Sequence, residues 1–398
     1  MASGQRMHIV HIITRFIRGG ADENTQLTCN YQARTGYEVT LITGKSWDAQ
    51  MRDGLDPHVR FIVLPSMVRP VSLISDVVSL VQLYALLRRL KPDLVHTHTS
   101  KAGFVGRLAA WLAGVPTLVH GVHILPFTNE SPLRGLGYLW LEWICGHLTH
   151  AFVHVSHGMQ EECLKNGIGI RALHVVAESG MDIGRFRNAP TPEDALQLLQ
   201  SPIGDADAPF VILSLAALEA RKGIPQFLNV FRRIVDQRPN SLLLLAGEGS
   251  QRGDIEAHVR LLALSRHVRM LGHRNDPERL LSIADVLIIC SEREGLPRAS
   301  VQAAIAGVPV VSTALPGIEA VIRHNERGFV VPVGDLDGME SAILQLIDEP
   351  ALRASMRARL AAADFSDWAI ERMIEKLEAV YVSLTQRKGE VPPVRVSP

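Results

Sequence analysis

The segment "DVLIICSEREGLPRASVQAAIAGVPVV", residues 285–311, decides the fold. It opens on a short, almost unbroken apolar run, the pattern of a strand buried on both faces of a parallel sheet. A polar loop follows. Pro297 then suits the first turn of a helix, where its missing N–H costs nothing. Gly307 fits the helix end, and Pro309 starts the next apolar run. The unit is strand, loop, helix, strand. Its loop sets an acid and a glycine, Glu294 and Gly295, between the strand and the helix, and Gln302 lies eight residues after the acid. Two readings stand for that loop: a helix-entry turn with an incidental acid, or a ligand contact.

Working outward, the same alternation runs the length of the chain. Upstream lie the strands "FVILSLA" (210–216), "SLLLLAG" (241–247) and "HVRMLG" (267–272), and downstream "GFVVPV" (328–333). An earlier pass contains "MHIVHIIT" (7–14), "YEVTLIT" (37–43), "VRFIVLP" (59–65), "DLVHTHT" (93–99) and "TLVHGVH" (117–123), with helical periods over 74–92 and 102–116 between them. Strands that alternate with helices form a parallel sheet covered on both faces. The chain therefore reads as α/β, two Rossmann-like doubly wound domains, with a ligand cleft expected between the carboxyl ends of the two sheets. The expected boundaries are 1–187 for the first domain and 210–366 for the second. The Pro-, Asp- and Ala-rich stretch 188–209 reads as the linker. A helix over 367–386 is expected to pack back on the first domain, and residues 387–398 read as a disordered tail.

Composition removes several classes. Lys+Arg and Asp+Glu each total 41 in 398 residues, so no global charge argues for nucleic acid. Cys29, Cys145, Cys163 and Cys290 are scattered and form no CxxC pair, against zinc ribbons and redox dithiols. Reduced, part-buried thiols fit a cytoplasmic protein. The N-terminal apolar run is too short for a signal peptide, and no stretch is apolar enough for a membrane span.

The loops after strands carry the chemistry. The backbone amides near Gly295, Leu296 and Pro297 point the positive end of a helix dipole at an anion, suited to a diphosphate. Glu294, beside them, would repel a phosphate and suits neutral sugar hydroxyls, and the Gln302 amide suits a diol. In "LAALEARKGIPQFL" (215–228), Lys222 stands where it can neutralise a leaving phosphate, with Arg221 next to it. Gly19 and Gly20 in "TRFIRGGAD" (14–22) allow phosphate or sugar close to the backbone. That loop is not GxGxxG, and no acid ends the second strand, against a nicotinamide cofactor. His96, His98, His120 and His123 lie on or at the ends of strands. His96 and His98 share a face, yet no carboxylate or cysteine lies at ligand spacing, so strand-end histidines or a sugar contact are preferred over a metal. His123 ends its strand. The helix "GYLWLEWICGHL" (137–148) is apolar on more than one side, which reads as packing, with membrane contact as the alternative.

Together "ITRFIRGGA", "HTHTSKAGFVGRLAAWLAGVP", "VHGVHILPF", "SGMDIGRF", "RKG", "GEGSQR", "EGLP" and "AGVPVVST" resemble the retaining, GT-B-fold glycosyltransferases of family four. "HTHTSKAGFVGR" is similar to the branch acting on undecaprenyl-linked or exopolysaccharide acceptors. The resemblance implies catalytic roles for Glu294, Lys222 and His123. It implies donor binding by Gly19, Gly20, Arg221, Lys222, Glu294, Gly295, Leu296, Pro297 and Gln302. His98 and Lys101 are the expected acceptor contacts. It further implies a nucleotide diphosphate sugar, UDP-linked, as donor substrate, no metal or other cofactor, and a glycan or lipid-linked acceptor. Retention of configuration and peripheral contact at the inner face of the membrane complete the expectation. Three positions depart from the pattern. Gln302 replaces the second acid of E-x7-E, Ala217 stands where an arginine is usual, and Ser179-Gly180 replaces an Asn-Gly pair. A sugar-nucleotide epimerase and a non-catalytic binding subunit remain the alternatives.

Overall fold

The computed structural model describes residues 6–127, 131–204 and 208–386. Among them the first sheet contains β1 (His8–Ile13), β2 (Glu38–Thr43), β3 (Arg60–Val63), β4 (Leu94–His98), β5 (Thr117–Val122), β6 (Ala151–His154) and β7 (Leu173–Val176). Its order is β3-β2-β1-β4-β5-β6-β7, and every pairing is parallel. The second sheet contains β8 (Phe210–Leu215), β9 (Ser241–Ala246), β10 (Val268–Gly272), β11 (Val286–Ile289), β12 (Val310–Thr313) and β13 (Gly328–Val331), also parallel, in the order β10-β9-β8-β11-β12-β13. In each sheet the chain first winds outward one way, then returns to the middle and winds the other way. That reversal falls between β1 and β4 and between β8 and β11, and it opens a crevice at the strand ends there.

Burial explains the continuous apolar strands. β1 and β9 are buried along their whole length. Helix Ile224–Gln237 sets Ile224, Phe227, Leu228, Phe231, Ile234 and Val235 against the second sheet at helical spacing. Each such side chain contributes roughly 1.5–3 kcal/mol by leaving water. In the first unit, helix Ile370–Gln386 buries Met373, Ile374, Leu377, Val380, Tyr381 and Leu384 against Ile9, Leu94, Val119 and Val153. The opposite face of that sheet carries helices Leu73–Leu90, Ser100–Leu112 and Pro132–Leu148 side by side.

The expected boundaries shift. The chain divides into residues up to Gly180 together with 367 onward, and a second unit, Met181–Ser366. The stretch read as a linker is built into the second unit. Ala195 and Leu198 are buried, and Arg274 holds Asp194 at 2.6 and 3.1 Å. Strands β6 and β7 were not expected from the sequence, and neither were helices Leu336–Asp348 and Pro350–Ala361. The tail 387–398 lies outside the described residues. Among the described residues no helix is long and apolar enough to cross a membrane. Trp140 and Trp143, read as packing residues, are 62% and 48% exposed.

Candidate active site

The switch point of the second sheet explains why Lys222 and Glu294 meet although 72 residues separate them. β8 and β11 are neighbours, with Ile212 opposite Val286. The loop after β8 ends in a single turn, Ala220–Lys222, and the loop after β11 leads to the helix Arg298–Ile305. Gly223 closes the first loop at φ +66°, and a Cβ there would lie 2.2 Å from the carbonyl oxygen of Cys290. Only glycine combines that left-handed backbone with so close an approach. The two loops are further tied by Glu292 N–H donating to Arg221 O at 2.8 Å and by Cys290 Sγ donating to Lys222 O at 3.1 Å.

The Glu294 carboxylate takes two cations. Lys222 Nζ donates to its Oε1, and Arg221 Nη1 lies 2.9 Å from the same oxygen. Arg221 Nε also reaches Glu219 at 3.1 Å. The Lys222 and Glu294 side chains are each 13% exposed, so this ion pair is largely shielded from water while staying reachable. Beside it, no acceptor among the described residues takes the amides of Gly295 and Leu296. Pro297 is the N-cap of the helix and offers no side-chain cap. Two free amides, a helix N-terminus and two cations converge on one loop pair, an arrangement that attracts a phosphate. Gln302, half-buried, lies in the second turn of that helix.

In the first unit the expected residues divide. Gly19 is the extended N-cap of helix Gly20–Arg34, and Gly20 is exposed. The sequence reading missed Asp22, whose Oδ1 accepts from Ile17 N–H at 3.3 Å and whose carboxyl is pushed up to about 7 by burial. Its Oδ2 would lie 2.8 Å from a Cβ on Gly19, so the glycine makes room for it. Lys101 donates to the carbonyls of Val68, at 2.8 Å, and Pro70, and its ammonium lies 2.5 Å from Asp76. His98 is 3% exposed and uses both ring nitrogens internally. Neither of these two presents an open polar group to an acceptor. His123, at the end of β5, is half-buried, with Nε2 3.2 Å from His98 Nδ1.

His11, His96 and His98 place ring nitrogens within 4.8 Å of one another. His11 was not expected there. Parallel register sets it opposite His96 on β4, which became visible only with the strand pairing. A metal needs lone pairs that converge on one point. The His11 and His98 rings are instead nearly coplanar, interplanar angle 15°, with Nδ1 and Nε2 2.9 Å apart and centroids 5.2 Å apart. That separation is the bond length plus two ring radii, so the nitrogens face each other in line. The pair is hydrogen-bonded, and its geometry does not fit a metal.

Comparison with known proteins agrees with this architecture. The chain matches the family "Glycosyl transferases group 1" over residues 199–362 and "Glycosyl transferase 4-like domain" over residues 19–178. It is 28% identical over 358 residues to the UDP-Gal:alpha-D-GlcNAc-diphosphoundecaprenol alpha-1,3-galactosyltransferase of Escherichia coli, covering 88% of this chain and 90% of that protein. It is 24% identical to the capsular polysaccharide biosynthesis glycosyltransferase CapM of Staphylococcus aureus, over 86% of this chain and 89% of that one. Among solved structures, HepE of Anabaena in complex with UDP and glucose superposes with a TM-score of 0.77 at 20% identity, covering 95% of this chain and all of that one. Sucrose-phosphate synthase of Thermosynechococcus elongatus gives 0.79 at 21% identity, with 96% of this chain and all of that one covered.

Proposed function

This chain belongs to the group 1 glycosyl transferases with a 4-like domain, and on that premise we propose that it moves a sugar from a UDP-linked donor to a lipid-linked or polymeric glycan, with retention of configuration. The observation that carries the reading is the pairing of Lys222 and Arg221 with Glu294, beside the unclaimed amides of Gly295 and Leu296.

The second unit holds the nucleotide sugar. Lys222, Arg221 and the amides of the 295–298 loop take the diphosphate, and Arg221 supplies the charge that Ala217 lacks. Drawing the two cations onto phosphate releases Glu294 to accept from sugar hydroxyls, with Pro297 fixing the helix entry and Gln302 on a diol. As the C1–O bond breaks, negative charge gathers on the departing phosphate, and each preorganised donor stabilises it by about 3 kcal/mol. The departing phosphate takes the acceptor's proton, and the acceptor oxygen bonds C1 on the face that the phosphate leaves. No protein nucleophile is consumed, and the cationic side chains do the work a metal would do elsewhere. In the first unit, Gly19 and Gly20 leave the backbone open to a phosphate or sugar, and His123 is assigned to a sugar hydroxyl.

The acceptor side rests on two supports. The E. coli relative is named for a diphosphoundecaprenol-linked substrate. The outer surface of the first unit's helices also exposes Leu73, Ile74, Leu133 and Trp140 by 80, 80, 87 and 62%. Such a face, with Arg88 and Arg89 exposed on the same helix as Leu73, suits the surface of an anionic bilayer. A cytoplasmic location at the inner face of the membrane belongs to the same proposal, and four free, buried cysteines support it.

The test incubates the protein with a panel of UDP-sugars and an undecaprenyl diphosphate-linked N-acetylglucosamine acceptor. Mass spectrometry should find the acceptor extended by one sugar, with the anomeric configuration of the donor. Conversion of the donor without acceptor would instead identify an epimerase, and binding without turnover a non-catalytic subunit.

A further inference from the structure

The residues expected to meet the acceptor, Lys101 and His98, spend their polar groups inside the protein. The loop after β2, "GKSWDAQMR" (44–52), offers another contact. It is laid against the loop after β1. Phe16 N–H donates to Ser46 O at 3.0 Å and Asp48 N–H to Phe16 O at 2.8 Å, which makes a parallel bridge between Phe16 and Trp47. Gly44 allows that approach, since a Cβ there would lie 2.0 Å from Met67 O and 2.4 Å from Thr14 O. Arg18, next to Gly19, adds a second tie, with Nε 3.4 Å from Asp48 and Nη2 donating to Gln50. Trp47 thus stands on a pinned backbone at the carboxyl end of the first sheet, where open α/β sheets take ligands.

The indole is held from one side. Arg52 Cζ lies over its ring at 5.6 Å, Phe61 meets it edge-on at 5.7 Å, and Arg52 Cζ is 5.9 Å from the Phe61 ring. The three distances make a nearly equilateral triangle, so Phe61 lies toward the same side of the indole plane as Arg52. The other face is clear of both, and Trp47 is 37% exposed. Its N–H has no acceptor among the described residues. A rigid aromatic face with a spare donor suits a pyranose. The sugar's C–H face is positively polarised and packs on the negative face of the ring, while a hydroxyl accepts the N–H. Lys45, on the same loop, is exposed and pairs with no acid among the described residues. That cation matches a sugar joined to phosphate. The donor groups Lys222, Arg221 and Glu294 belong to the second unit, so a sugar on this loop of the first unit is the acceptor's.

We propose that Trp47 is a stacking platform for the sugar ring of a phosphate-linked acceptor. The proposal rests on the reading of this chain as a glycosyltransferase acting on a lipid-linked glycan.

The experiment labels the full chain with 5-fluorotryptophan and assigns Trp47 by the signal lost in Trp47→Phe. Farnesyl diphosphate-linked N-acetylglucosamine should shift that signal, and farnesyl diphosphate or UDP alone should leave it in place. In the transfer assay Trp47→Ala, checked for folding by its melting curve, should raise the acceptor KM at least about fivefold with kcat and donor KM unchanged. Trp47→Phe should restore most of the loss. An unmoved signal, an equal shift with farnesyl diphosphate alone, or an unchanged acceptor KM overturns the proposal. Weaker vesicle co-sedimentation of Trp47→Ala, with the acceptor KM unchanged, would assign the indole to lipid instead. A signal that answers to the sugar in a protein that transfers none would refute the function while leaving the platform standing.

Discussion

Acidification from pH 7.5 to 5.5 should loosen the first unit well before the second. His11, His96, His98, His120 and His154 are each no more than 4% exposed, and all belong to the first unit. Burial depresses every one, His11 to about 4 and His154 to about 3, against an ordinary value of 6.5. Between those values the unfolded chain binds protons that the native rings refuse. Stability is thus full above pH 6.5 and is lost as pH falls below it. His11 and His154 together cost about 3 kcal/mol over this interval, and His96, His98 and His120 add to the loss in the same direction. Asp22 works the other way. Its native carboxyl, raised to about 7, takes up a proton that the unfolded chain does not, offsetting about 2 kcal/mol. The three further rings make the balance a clear net loss, set against the roughly 5–15 kcal/mol that typically holds a domain. The second unit buries no histidine among the described residues. Amide hydrogen exchange at the two pH values, corrected for intrinsic rates, should show protection in β1 and β4 falling by about tenfold or more. β8 and β11 should change far less. Equal loss in both units, or none in the first, would refute the reasoning.

Gly223→Ala should destabilise the second unit by at least about 2 kcal/mol, a drop of several degrees in Tm, because the left-handed backbone and the Cys290 carbonyl both exclude a Cβ. An unchanged Tm would contradict this. Glu294→Gln should lower kcat at least about 100-fold with UDP affinity undiminished or raised, since the carboxylate serves the sugar and competes with the phosphate for Lys222 and Arg221; weakened UDP binding would argue against that division. Replacing Trp140 and Trp143 by Ser should reduce co-sedimentation with anionic vesicles and leave turnover of a water-soluble acceptor intact, and undiminished sedimentation would remove the membrane face from the proposal.

Much of the architecture was legible because parallel strands buried on both faces write themselves as apolar runs. β6 and β7 escaped because each is only four residues long and carries a histidine, His154 and His174. The boundary was misplaced because proline and aspartate mark exposed chain in general, while here Asp194 is fastened by Arg274. The sites follow the same rule. Lys222 and Glu294 could each be found as residues following a strand. Their contact could not, since it needs β8 beside β11. His11 gave no signal at all, because its contact with His98 exists only once β1 lies against β4.

The central claim is that the cations after β8 hold a diphosphate, and calorimetric titration with UDP of the wild type and of Lys222→Ala tests it most directly. One charge-assisted bond contributes about 1.5–3 kcal/mol, so the substitution should weaken UDP roughly 10- to 100-fold while the melting temperature stays within about a degree. Equal affinity in the two proteins, or no binding of UDP to the wild type, would contradict the account.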